Sequence, residues 1–396
     1  MSGKAPIVAV FAHDAHESTV RKRIAGFRDA GRHVVGFTFA RPRPEDARAP
    51  EIIWQDVPLG TTRDRNYARR LPRLAAALPR ILRHAKALRE ARVIYARNID
   101  MMALALAAKR LTGSRATLAY EVLDVQRVFL REDAVGRAFR AAERRALAHS
   151  DCLVVSAPAF VSRYFEPVQD YRGPWRLLEN KIPASRIAAA PERFARILRH
   201  PPLEGPVVIG WFGVLRCARS LDLLEEIAAR LGPRVRILLR GKLAEEDISR
   251  ERLAAAQARC ANLVFEGPYA SPDDLADLYG GVHYTWALDY TDAGANSDWL
   301  LPNRLYEGGY FGAPTLAREG TEVGRRVVAD DLGLVLPEPP IEAACALVEG
   351  FDPAAYVARR ERLLARPPGA FVDQDDTRTL LETLEQAGEA RAAKPA

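Results

Sequence analysis

Four cysteines in 396 residues, Cys152, Cys217, Cys260 and Cys345, stand apart, without metal or redox spacing. That scarcity excludes a disulfide framework and suits a reducing compartment. Histidine is sparse too, with seven residues, and His13 and His16 lack a matching distant pair, so no metal is expected. Long apolar runs are missing. Ile7 to Ala12 and Met101 to Ala108 fall far short of the roughly 20 residues that cross a bilayer, and the opening residues do not read as a signal peptide. No repeat of solenoid length appears. The basic region lacks interleaved aromatics, and no recognition motif is present, so nucleic acid is not an expected partner.

What is present is a globular composition, 48% apolar and 28% charged, in a chain long enough for two or three domains. The net charge of +7 is unevenly spread. Residues 1–182 hold 33 Lys/Arg against 19 Asp/Glu, and the remainder 25 against 32. Such one-sidedness calls for an anionic partner on the first half. Residues 63–97 concentrate it, with 11 basic and 2 acidic side chains. Leu71, Leu74, Leu78, Ile81, Ala85 and Leu88 recur there at helical spacing, and Pro79 is placed to kink the element. A basic amphipathic helix of this kind can rest on an anionic leaflet; equally, the stripe can face a core and leave a solvated basic face.

Short β-rich runs alternate with helical patterns, which predicts parallel sheets covered by helices. Strands are expected at Ile7 to Phe11, Val34 to Phe39, Val93 to Ala96, Ala116 to Tyr120, Cys152 to Val155 and Arg176 to Leu178. Ser18 is expected to cap the first helix and Gly31 to end it. A second series begins at Val207 to Phe212 and continues through Val235 to Leu239, Leu263 to Phe265, Val282 to Trp286 and Pro314 to Ala317. The expected organisation is an α/β domain over 1–182, a linker at 183–205 and a second α/β domain over 206–373. A helix and frayed tail fill 374–396. Doubly wound domains bind ligands at strand C-termini, here expected in the cleft between them.

The clearest constellation spans Ala295 to Ala317. Pro302 suits a helix start, whose free N–H groups suit a phosphate. Glu307, one turn on, can accept hydrogen bonds from a ribose diol; it can also be a surface carboxylate favoured by the helix dipole. Pro302-Asn303-Arg304-Leu305-Tyr306-Glu307, with Phe311-Gly312-Ala313-Pro314, resembles the donor motif of nucleotide-sugar glycosyltransferases. The likeness is to the GT-B fold, two Rossmann-like domains facing each other across a cleft, and to glycosyltransferase family 4 of bacterial cell-surface polysaccharide synthesis. Gly210 to Arg216, Leu178-Glu179-Asn180-Lys181 and Gly267 fall in matching order, so the likeness covers nearly the whole chain. Two features depart from it. Trp299, beside Asp298, stands where the family carries a first Glu, and His13-Asp14-Ala15-His16-Glu17 replaces the Gly-Gly loop after the first strand.

The resemblance implies a sugar transferred from a UDP- or GDP-linked donor to a lipid-linked saccharide, with retention at the anomeric carbon and no cofactor. It implies diphosphate contacts at Arg216 and Arg219, whose charge can neutralise the leaving group. Arg240, Lys242, Tyr269, Ser297, Asn303, Arg304, Leu305 and Glu307 complete the expected donor site. On the acceptor side, Asp124, Glu121 and His13 are the candidate catalytic residues, with Asp14 and His16 beside the acceptor. The expected setting is cytoplasmic, peripheral at the inner face of the membrane. Two alternatives are a non-catalytic sugar-nucleotide-binding scaffold and a GT-B sugar-nucleotide epimerase.

Overall fold

Apolar runs and amphipathic helices do alternate, in two separate units. The computed structural model describes residues 5–41, 51–62, 67–192 and 200–393. Parts of the basic segment, of the expected linker and of the tail lie outside them. One unit comprises 1–179, 183–185 and 373–396, the other 180–182 and 186–372.

The first unit runs β1 (Ile7–Ala12), α1 (Ser18–Asp29), β2 (His33–Ala40), β3 (Gln55–Thr61), α2 (Tyr67–Leu82), α3 (Ala85–Glu90), β4 (Ala91–Arg97) and α4 (Asn98–Thr112). It continues through β5 (Thr117–Val122), α5 (Arg127–Leu130), α6 (Ala134–Leu147), β6 (Cys152–Val155), α7 (Pro158–Phe160) and β7 (Trp175–Leu177). The strands lie in the order β3-β2-β1-β4-β5-β6-β7, every pairing parallel. Glu17, not Ser18, occupies the N-cap of α1, and no side chain caps it. The apolar stripe of α2 and α3 resolves the two readings of the basic segment. Leu74, Ala77, Ile81 and Leu88 are buried in the unit, while Arg73, Arg80, Arg83, Lys86 and Arg89 stay exposed. The stripe serves the core, and only Leu71, 66% exposed, projects outward from it.

Between the units come β8 (Ile182–Pro183) and α8 (Ala184–Ala189). The second unit then runs β9 (Val207–Leu215), α9 (Ala218–Leu231), β10 (Val235–Leu243), α10 (Arg250–Arg259), β11 (Leu263–Phe265), α11 (Leu275–Gly280) and β12 (Tyr284–Trp286). After these follow α12 (Asn296–Trp299), α13 (Asn303–Tyr310), β13 (Thr315–Arg318), α14 (Glu322–Ala329), β14 (Gly333–Leu336), α15 (Pro340–Glu349) and α16 (Pro353–Ala365). The sheet order is β11-β10-β9-β12-β13-β14, again all parallel. Gly241, at φ +139°, lies so close to Gly213 that a Cβ would fall 1.8 Å from the Gly213 carbonyl oxygen. Only glycine permits that approach.

The chain then pairs β15 (Val372–Asp373) with β8 and ends in α17 (Asp376–Ala392). This last helix is part of the first unit. Leu380, Leu381 and Leu384 enter the core built by Val8, Val10, Ile24, Phe27 and Tyr95. Thr117 Oγ1 donates to the Leu384 carbonyl at 2.8 Å, and Arg32 pairs with Glu385 at 2.8 Å.

Candidate active site

Strand order reverses once in each sheet, between β1 and β4 and between β9 and β12. At such a point adjacent connections leave in opposite directions, opening a crevice beyond the strand C-termini. Polar residues gather at both.

In the second unit Arg216 follows β9 and Asp289 follows β12, with Nη2 and Oδ2 3.6 Å apart. Burial pushes the Asp289 carboxyl up, but Arg304, the bonds from Thr291 and Arg216 outweigh it, leaving it below the usual carboxylate range. Arg304, one residue into α13, donates from Nη1 to the Phe212 carbonyl at 3.3 Å. Burial pulls its pKa down, against the pull of Asp289. Pro302 is the N-cap of α13 in extended conformation, as its fixed φ favours. Glu307 is buried and accepts from the Tyr279 hydroxyl at 3.1 Å. Burial and the nearby Glu307 charge both push the Tyr269 phenol above its ordinary pKa. Arg216, Arg304, Glu307 and Tyr269 therefore converge, with Asp289 as a partner missed in the sequence. Its signal was a lone acid just past the buried strand Tyr284–Trp286.

Several other expected donor residues are engaged elsewhere. Arg219 is exposed and stacks on Tyr290, as does Arg318; both guanidinium carbons lie 4.7 Å from the ring centre. Arg240 donates to the Pro268 carbonyl at 3.1 Å and lies 3.6 and 3.8 Å from Glu266 and Asp274. Lys242 is exposed. Ser297 is buried and its Oγ accepts from the Asp292 amide at 2.9 Å. The Leu305 amide donates to Pro302 at 3.1 Å, so it is spent within the helix turn rather than offered to a phosphate. Asn303 Oδ1 is shielded and makes no hydrogen bond among the described residues. Asp298, neighbour of Trp299, pairs with Arg318 and accepts from the Gly294 amide at 2.9 Å.

In the first unit His13 and Glu17 follow β1, and Arg97 and Asn98 end β4 and open α4. His13 Nε2 lies 3.0 Å from Glu17 Oε2. Burial raises the Glu17 carboxyl, but the bond from His13 and the Arg97 charge overcome it and hold the group far below its usual range. Asp14 is buried and accepts from the His16 amide at 3.1 Å. Asp124 is exposed in the loop after β5.

Glu121 is the correction. Its carboxylate is fully buried and lies 2.7 Å from both Arg23 and Arg97. A carboxylate enclosed by two guanidiniums is an internal counter-ion, out of reach of a substrate hydroxyl. Glu17, Arg97 and Asn98 were missed as site residues; the polar pair closing the apolar run Val93 to Ala96 was the available signal. Among the described residues no group of three or more His, Cys, Asp or Glu side chains could hold a metal ion.

Comparison with known proteins decides the family. The succinoglycan biosynthesis protein ExoL of Rhizobium meliloti (strain 1021) is 36% identical over 378 residues, 95% of this chain and 93% of that protein. The chain belongs to the ExoL family. No protein-family model matches it. Sucrose-phosphate synthase from Thermosynechococcus elongatus shares its fold at TM-score 0.70 and 16% identity, covering 99% of this chain and 100% of that one. Anabaena HepE in complex with UDP follows at TM-score 0.68 and 14% identity, covering 96% and 100%. WaaG, a glycosyltransferase involved in lipopolysaccharide biosynthesis, superposes at TM-score 0.59 and 14% identity, covering 98% and 100%. These structures share with this chain the GT-B fold of two Rossmann-like units. No helix of the described residues is long and apolar enough to cross a membrane.

Proposed function

We propose that this ExoL-family protein transfers a sugar from a UDP-linked donor to a lipid-linked saccharide during synthesis of a cell-surface polysaccharide. The observation that carries the reading is the convergence of Arg216, Arg304 and Glu307 at the second switch point. Two guanidiniums there would neutralise the charge that builds on a departing diphosphate. Glu307, held by Tyr279, would accept the hydroxyls of the ribose, and Tyr269 would lie against the base. HepE was crystallised in complex with UDP and in complex with UDP-glucose, which favours uridine over guanosine. ExoL's role in succinoglycan biosynthesis supports a polysaccharide product. The basic excess of the first unit supports an acceptor carried on an anionic membrane surface, with the protein peripheral at its inner face. Closure around the donor would exclude water and limit its hydrolysis.

Retention, implied by the motif at 302–314, loses support at Asp298. The acid nearest the absent first Glu is tied to Arg318. The same feature keeps a non-catalytic sugar-nucleotide-binding role as the second reading.

The test is a panel of UDP- and GDP-sugars, with nucleotide release measured with and without lipid-linked saccharide. Acceptor-dependent release is expected. Nucleotide binding without transfer across many acceptors would favour the second reading, and product formed without any acceptor would indicate an epimerase. Absence of UDP binding by calorimetry at millimolar ligand would remove the proposal.

A further inference from the structure

The strands of the first sheet all run parallel, so the segments that enter β6 and β7 lie at its strand N-termini, on the edge opposite the switch point. There the last turn of α6 and residues 169–174 enclose a cavity of about 380 Å³, within the range of small-molecule sites. Leu147, Tyr171 and Pro174 give it apolar wall, and Arg144, Gln169 and Arg172 give it polar groups.

Arg144 is aimed by a buried run of hydrogen bonds. Its Nε donates to Gln169 Oε1 at 3.0 Å. Gln169 is 3% exposed and is fixed in turn, because its Nε2 donates to Glu143 Oε2 at 2.5 Å and to the Tyr164 hydroxyl at 2.7 Å. Glu143 is the one acid of α6 and faces inward, accepting from Tyr120, Tyr164 and Gln169. The Arg144 guanidinium is therefore held at Nε, while its Nη groups meet no acceptor among the described residues. Guanidinium N–H groups held in this way match the spacing of two phosphate oxygens. Arg172 adds a second cation. Asp170 lies 3.5 Å from it, and both side chains are largely exposed, so that pairing is weak.

The rest of the cavity is equally well fixed. The Tyr171 amide donates to the Phe165 carbonyl at 2.9 Å and its hydroxyl to the Pro174 carbonyl at 2.8 Å. Gly173 leaves the space that ring needs, since a Cβ there would fall 2.6 Å from the hydroxyl oxygen. The end of α6 does not confront an anion with bare carbonyls. Ser150 donates to Leu147 from both its amide and its Oγ, and the Ala148 and His149 amides donate to Arg144 and Ala146.

We propose that this cavity is a binding site for a monosaccharide phosphate. The phosphate is held by Arg144 and Arg172, the sugar body lies against Leu147, Tyr171 and Pro174, and Asp170 accepts from the sugar hydroxyls. The site lies wholly in the first unit and stands whether or not the chain transfers sugar. A bound ligand ties residues 169–174 to α6 and stabilises the first unit by mass action.

The experiment titrates the full chain with α-glucose 1-phosphate, with millimolar UDP present to keep the titrant from the second unit, and reads the methyl resonances of Leu147 and Ala148. These shifts saturate in the low-millimolar range or below. Arg144 is exposed, so Arg144→Gln leaves the fold intact; it raises Kd at least about tenfold, the range for losing hydrogen bonds to a charged group. Arg172→Gln raises it about two- to fivefold. Inorganic phosphate binds at least about tenfold more weakly than the sugar phosphate, for want of the apolar contacts. No saturable shift below about 20 mM, an Arg144→Gln variant of unchanged affinity, or glucose binding as well as its phosphate would overturn the proposal. Dihexanoyl phosphatidic acid carries the same phosphate on a lipid, and tighter binding of that probe would overturn the sugar assignment.

Discussion

Replacing Glu121 with Gln separates a structural carboxylate from a catalytic one. The side chain is fully buried near the end of β5 and pairs with two guanidiniums, each 2.7 Å away. Gln keeps the shape and one acceptor oxygen but removes the charge, so Arg23 and Arg97 remain desolvated, with Asp373 the remaining acid acting on Arg23 and Glu17 the one beside Arg97. Removing one partner of a buried pair costs about 3–5 kcal/mol, because the charge left behind has no compensation. With a urea slope of about 2 kcal/mol per molar, the midpoint of the first unit falls by roughly 2 M. Hydrogen exchange of the β4 and β5 amides during urea titration reads that unit apart from the second. Activity under folding conditions should fall only with the folded fraction. A variant losing less than about 1 kcal/mol yet unable to transfer sugar would refute the reasoning, since the carboxylate would then be acting on substrate.

Glu307→Ala should weaken UDP binding about 10- to 100-fold by calorimetry, the range for losing hydrogen bonds to a charged group; unchanged affinity rejects the ribose assignment. His283 accepts from the Val208 amide through Nδ1 at 2.9 Å and donates from Nε2 to the Pro202 carbonyl at 3.1 Å. Burial lowers its pKa from 6.5 to about 4. Between those values the unfolded chain binds the extra proton, so stability is lost as pH falls from about 6.5 to 4, by about 3 kcal/mol in all. Denaturation of wild type and His283→Gln across that range should show the slope in wild type only. Reversing Arg83, Lys86 and Arg89 to Glu should cut co-sedimentation with phosphatidylglycerol vesicles by more than about tenfold, and wild-type binding should weaken with salt. Equal pelleting with neutral vesicles would contradict an electrostatic attachment.

The alternation of apolar runs made both sheets legible, because a strand buried on both faces leaves a contiguous apolar stretch. β3 left none: in Gln55–Thr61 only Val57 and Leu59 are buried, and Pro58 and Gly60 interrupt it, as an edge strand tolerates. The α17 leucines advertised an apolar face but not which core would receive it. Residue type was equally readable in the site, and partnership was not. Glu121 and Asp124 looked alike in one loop. The difference lies in Arg23, 98 residues from Glu121 in the chain. Glu17 stood in view inside His13-Asp14-Ala15-His16-Glu17, yet its meaning comes from Arg97, brought alongside by the adjacency of β1 and β4.

The same architecture holds two kinds of charge environment. Each sheet reverses its strand order once, and the charged side chains gathered there from strand ends and neighbouring helices differ between the two units. In the second unit they are arginines with an acid behind them, a setting for a phosphate group. In the first they cancel, Arg23 and Arg97 against Glu17 and Glu121, leaving a histidine whose partner is already charged. The positive excess of the first unit therefore lies away from this centre, on exposed residues such as Arg83, Lys86 and Arg89. The exposed cations and the buried, charge-balanced group are different residues, so either can be altered by substitution while the other is kept.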